Sequence, residues 1–170
     1  QNYRKKEWNF NTIFFGGGTP SILPSKDIEK ILEELDNTFD ISNVKEITLE
    51  ANPGEASLEF LKDIRKIGIN RLSIGFQSFN NKLLKKLGRL HKSEDCLNTF
   101  KNARKAGFDN INTDIIFNIP SLSTNRWKKD LFKLTSLNPE HISAYSLTVE
   151  PLTQLFNLVR NKKIFMPKEE

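Results

Sequence analysis

Cysteine is almost missing from this chain: Cys96 stands alone among 170 residues. A single thiol excludes an intramolecular disulfide, and with it the stapled folds of small secreted proteins. No apolar run is long enough to span a bilayer, and no low-complexity linker divides the chain. A block of like charge is missing as well. The 26 Lys and Arg against 21 Asp and Glu leave a net charge of +5, but the signs are interleaved along helical patterns, so nucleic acid is not demanded as a partner. No signal peptide stands at the start, although the chain opens at Gln1 rather than a methionine, so that absence carries little weight. A reducing, cytoplasmic setting fits this composition best.

What is present is enough apolar material, 37% of residues, for one domain and one core. Strand-like runs at Thr12–Gly16, Glu46–Asn52, Asn70–Gln77, Asn110–Ile119 and His141–Val149 are each followed by a stretch with helical punctuation. The first helix is expected from an N-cap at Ser25, with Ile28, Ile31, Leu32 and Leu35 on one stripe. The second is expected from Ser57 to a stop at Gly68, and a later one from Ser93 to Gly107. A last one carries Trp127, Leu131 and Leu134 before Asn138-Pro139 ends it.

Alternating β and α units imply a parallel α/β sheet, either doubly wound or curved into a barrel. The strand faces decide. A sheet covered on both sides reads as continuous apolar runs, whereas here Ile47, Leu49 and Ala51 alternate with Thr48, Glu50 and Asn52. Likewise Leu72, Ile74 and Phe76 alternate with Ser73, Gly75 and Gln77, and Ile111, Ile115 and Phe117 with Asn112, Asp114 and Asn118. Thr113 and Ile116 blur the fourth strand, and the fifth is too mixed to assign. Helices therefore cover one face, and the other lines a polar lumen. A carboxylate there costs several kcal/mol of desolvation unless it is paired or ligand-bound.

In such barrels the C-terminal strand ends carry the site. Gly17, Gly18 and Thr19, then Glu50, then Gln77 fall there. The glycines let a backbone approach a ligand, or simply form a tight turn; the spacing is not that of a dinucleotide fingerprint. Each polar candidate has two readings. Glu50 binds a ligand or orders the turn after its strand; Gln77 does the same or bonds a strand end. Arg89 holds an anion or belongs to the solvated basic stretch of Lys82, Lys85, Lys86 and Lys92. Asp114 amid isoleucines is hard to explain without a partner. His91 and His141 read as structural, and Cys96, beside Leu97 and Phe100, as a small buried apolar residue.

Taken in order, FFGGGTPS, TLEANPGE, RLSIGFQSFNNKLLKKLGRLH, NTDIIFNIP and HISAYSLTVEP span Ile13 to Pro151. Together they resemble successive motifs of radical S-adenosylmethionine proteins in the group of oxygen-independent coproporphyrinogen III oxidase and the heme chaperones. The wording EANPG, GFQSF with LGRLH, and HISAYSLTVEP is similar to the chaperone branch. Asn118 departs from the group, which usually has glycine there; asparagine tolerates a left-handed backbone better than other non-glycine residues.

The resemblance implies a partial TIM-type barrel that binds S-adenosylmethionine through Gly17, Gly18, Thr19, Glu50, Gln77, Arg89 and Asp114, with a backbone contact at Thr148. It also implies a [4Fe-4S] cluster held by three closely spaced cysteines. Those cysteines are not in this sequence, so the expectation is a single incomplete core domain, residues 1–170, whose cluster ligands and C-terminal domain lie outside the chain. Such a chain is expected to be inactive alone, with its first strand left as an unpaired, aggregation-prone edge. The implied partners are heme or porphyrin and acceptor hemoproteins, with peripheral membrane contact allowed for the parent protein. Two functions compete: a chaperone that hands heme to acceptors, and an oxidase that decarboxylates porphyrinogen propionates. A barrel of unrelated chemistry, with phosphate on Gly16–Thr19, is the third reading.

Overall fold

The computed structural model describes residues 8–167. Five strands, β1 (Thr12–Phe15), β2 (Glu46–Ala51), β3 (Arg71–Gln77), β4 (Ile111–Phe117) and β5 (His141–Ser146), form one parallel sheet. Their order is simply 1-2-3-4-5. A doubly wound sheet reverses its strand order at a switch point; this one never does, as expected of an arc of a barrel.

The helices are α1 (Ser25–Thr38), α2 (Leu58–Lys66), α3 (Asn81–Lys86), α4 (Ser93–Lys105), α5 (Thr124–Thr135) and α6 (Gln154–Arg160). One apolar cluster joins Ile28 and Leu32 of α1, Leu61 and Ile64 of α2, Phe100 and Ala103 of α4, and Leu134 of α5. The same cluster takes in Leu49, Leu72, Ile74, Phe76 and Ile111 from alternate positions of the strands. Cys96 is buried in it, and desolvation pushes its thiol up to about 12. The apolar alternation in the sequence is thus the helix-covered face. Register puts Thr113 there too, between Ile74 and Ile142. That is why Thr113 blurs the pattern, and its buried hydroxyl finds no hydrogen-bond partner among the described residues.

Several boundaries differ from expectation. Helix α1 is capped by Pro24, not Ser25: the Pro24 carbonyl accepts from Asp27 and Ile28 at 2.9 and 3.3 Å, and Ser25 is already helical. Ser57 does cap α2, accepting from the Phe60 amide at 3.1 Å. Strand β4 stops at Phe117 because Asn118 turns left-handed, with φ 58°. Strand β5 ends at Ser146, short of Val149. Among the described strands, β1 pairs only with β2, and Phe14 on it is 57% exposed.

Candidate functional site

The lumen face is polar along its centre, although register also puts Phe14 and Ile116 on it. Nearest the N-terminal strand ends, Arg71 donates to Thr48 Oγ1 and to His141 Nδ1, both at 3.3 Å, and lies 3.9 Å from Glu46. In the middle, Asn112 Nδ2 donates to Ser73 Oγ (2.8 Å) and to Asp114 Oδ1 (2.7 Å), while Ser143 donates to Asn112 Oδ1 at 3.0 Å. Ser73 donates to the other Asp114 oxygen at 3.4 Å. Among the described residues Asp114 thus has neutral donors and no cation in an ion pair, and burial, reinforced by the Glu50 charge, raises its carboxyl above the usual aspartate range.

At the C-terminal strand ends this face opens into a cavity of about 210 Å³. Gly18, Thr19, Glu50, Gln77, Arg89 and Asp114 all line it. Gly17 and Gly18 follow β1 with φ of 78° and 60°, a pair of left-handed residues that side chains would strain, and a Cβ on either would project into open space. The Gly17 amide donates to Glu50 Oε2 at 3.2 Å. Glu50 thus orders the glycine turn across the sheet rather than the turn after its own strand, and it stays in the cavity wall while doing so. Thr19 is held by Asn52 Nδ2, which donates to its hydroxyl at 3.3 Å.

Arg89 sits where this cavity meets a second one, of about 460 Å³, that also includes Glu55, His91 and Asp95. Its guanidinium makes no hydrogen bond or ion pair with another described residue. A half-buried guanidinium with free donors beside two carboxylates suits a zwitterionic ligand better than an ion of one sign. His91 is structural, its Nε2 donating to the Phe76 carbonyl at 3.2 Å, and burial lowers its pKa. Lys82, Lys85 and Lys92 are exposed, and Lys86 donates to Ser121 at 2.9 Å. Thr148 lies apart from the other candidates, on a largely apolar cavity of about 450 Å³ with Leu147, Pro120 and Leu158.

Sequence reasoning passed over Asn52, Ser73, Gly75 and Asn112. The lumen-face alternation was their signal, but it did not tell wall from lining. Gly75 has a specific duty: a Cβ there would lie 2.8 Å from Gln77 Nε2, so glycine leaves room for that amide in the cavity.

A singly wound parallel sheet, helices on one face and a polar cavity at the carboxyl ends, defines a ligand-binding partial barrel. The model of the Radical SAM superfamily matches residues 1–134. The chain belongs to that superfamily, whose common cofactors are S-adenosylmethionine and a [4Fe-4S] cluster. It is 38% identical over 163 residues to the heme chaperone HemW of Bacillus subtilis, covering 95% of this chain and 43% of that protein. It is 41% identical over 159 residues to radical S-adenosyl methionine domain-containing protein 1, mitochondrial, of Danio rerio, covering 94% of this chain and 36% of that one. Among solved structures, coproporphyrinogen III oxidase (HemN) from Escherichia coli superposes with a TM-score of 0.77 at 28% identity, over 93% of this chain and 36% of that one. The chain spans less than half the length of each of these relatives.

The two cofactors fit the residues unequally. Free guanidinium donors, two carboxylates, an amide and a glycine cradle suit the amino-acid end of S-adenosylmethionine. The cluster is not matched: among the described residues no group of three His, Cys, Asp or Glu is placed to hold a metal, and the Cys96 thiol is buried and kept protonated.

Proposed function

We propose that this chain is the S-adenosylmethionine-binding part of a HemW-like heme chaperone that transfers heme to acceptor proteins in the cytoplasm. The observation that carries the reading is the unpartnered Arg89 facing Glu50 and Asp114 across one cavity. On this reading Arg89 takes the ligand's carboxylate in a two-pronged bond, and Glu50 and Asp114 accept from its ammonium and hydroxyl groups and oppose its sulfonium charge. Gln77 adds an amide, while Gly17, Gly18 and Thr19 cradle the amino end. The backbone contact at Thr148 rests on the motif resemblance alone, since Thr148 lines a separate cavity. When bound, S-adenosylmethionine supplies a sulfonium centre open to reductive cleavage. The cluster ligands belong to sequence outside this core, and no residue described here takes their place. The kinship with proteins named heme chaperone supports the choice of cargo.

The likeness to coproporphyrinogen III oxidase favours a second reading, oxidative decarboxylation of a porphyrinogen. The test uses the full-length protein, reconstituted with iron and sulfide without air and given S-adenosylmethionine and a reductant. Stable heme uptake, followed by absorbance, without porphyrinogen turnover is the expected result. Deoxyadenosine formed in step with porphyrinogen decarboxylation would establish the oxidase instead.

A further inference from the structure

The end of β3 is the most distorted piece of the sheet. Register with β4 shifts between Ile74 and Gln77, and Gln77 has φ 64°. The Ser78 amide donates back to the Phe76 carbonyl at 2.7 Å, closing a three-residue turn with Gln77 at its centre. With positive φ at the central residue, such a turn is rare and strained, and it persists only where its surroundings over-determine it. Its effect is to swing the Gln77 amide back over Gly75 into the cavity.

Asp130, on α5, holds this turn in place. Its side chain is buried, 3% exposed, and one oxygen accepts from both Ser78 Oγ (2.7 Å) and the Phe79 amide (3.1 Å). Ser78 Oγ in turn accepts from the Asn80 amide at 3.1 Å. Among the described residues no cation forms an ion pair with Asp130; the neighbouring Lys133 lies over the Phe79 ring instead, 4.5 Å from its centroid. A buried carboxylate with only neutral donors is a costly way to pack a helix, and Leu134, one turn on, shows the apolar alternative. What the carboxylate adds is geometry, because it ties the two residues that follow Gln77 to a single point.

We propose that Asp130 is a positioning residue that sets where the Gln77 amide points and so tunes the ligand cavity from behind the sheet. The proposal rests on the reading of the cavity as an S-adenosylmethionine site. Its test separates the two. In the full-length protein, Asp130→Asn and Ser78→Ala are compared with wild type by NMR of the Gln77 side-chain amide, without ligand. Both variants should move that resonance and speed hydrogen exchange at Phe79. Because Ser78→Ala removes only one hydroxyl, it serves even if Asp130→Asn folds poorly. Calorimetric titration with S-adenosylmethionine then supplies a double-mutant cycle. Asp130→Asn should weaken binding about tenfold beside Gln77 and less than about twofold in the Gln77→Ala background. An unmoved Gln77 resonance, or equal losses in both backgrounds, overturns the proposal. Normal binding by Gln77→Ala alone instead overturns the assignment of Gln77 to the site.

Discussion

On the helix-covered face of the sheet, Leu49, Leu72, Ile74 and Ile111 are fully buried in one apolar cluster. On the opposite face, Ser73, Asn112 and Asp114 form a hydrogen-bonded network, and Glu50, Ser73 and Asp114 line a cavity. The same strands build both, one residue out of phase. The first face gains stability by excluding water, whereas the second gives up stability to keep polar groups poised, as Asp114 shows: it is buried with no ion-pair cation among the described residues. Position in the alternation should therefore separate folding from binding.

The comparison breaks most visibly if a substitution on the apolar face spares the fold. Ile74→Ala should cost about 2–5 kcal/mol, read by urea unfolding, because Ile74 is fully buried and its close-packed surroundings collapse only in part around the void. Its neighbour Ser73→Ala removes one hydroxyl from the network and should cost about 1 kcal/mol. Equal costs would mean that the two faces share the work of folding.

Next in size is Arg89→Ala. Losing a charge-assisted bond should weaken S-adenosylmethionine binding by about 1.5–3 kcal/mol, roughly ten- to a hundredfold, in a calorimetric titration. Stability should change by less than about 0.5 kcal/mol, since the guanidinium has no partner to lose among the described residues. A matching loss of stability would show that Arg89 is structural.

Thr113 sharpens the comparison from the other side, as a polar atom on the apolar face. Its hydroxyl is buried without a partner among the described residues, so Thr113→Val should stabilise the chain by about 1 kcal/mol in the same unfolding assay. A loss would mean that the hydroxyl has a partner or a use.

The two faces also differ in how far they could be read in advance. The five strands as elements, and the buried faces of β2, β3 and β4, were legible because period-two alternation is imposed by burial itself, as at Leu72, Ile74 and Phe76. Glu50 and Asp114 stood out as charges at a strand end and amid apolar neighbours, whereas Arg89, in a basic stretch, was singled out by the motif resemblance. What stayed hidden depends on distant partners. The turn at Gln77 is fixed by Asp130, more than fifty residues on. The faces of β5 were unreadable because it is only half covered: Ile142 and Ser143 are partly buried, and Tyr145 is 55% exposed. Pro24 supplants Ser25 as a cap because its extended backbone (φ −56°, ψ 141°) already points its carbonyl into the first turn.

The smallest expected effect lies in the pH dependence of the unliganded protein. Burial raises the folded-state pKa of Asp114 above its unfolded value, which for an aspartate is about 3.9. The folded chain then holds this proton more tightly than the unfolded one. The stability this provides is fully present below the unfolded pKa and is lost as pH rises through the folded one. Asp114→Asn stays neutral throughout and does not suffer that loss. The stability of the variant relative to wild type should therefore climb across the window that begins at about 3.9 and closes just above the folded pKa, then level off. Thermal melts at a series of pH values check it. S-adenosylmethionine should reverse the ranking at neutral pH, because its positive groups favour the ionised carboxylate, which the variant's neutral amide cannot supply. A flat difference across the window would mean that Asp114 titrates alike in both states, and that the polar face bears no electrostatic cost at this position.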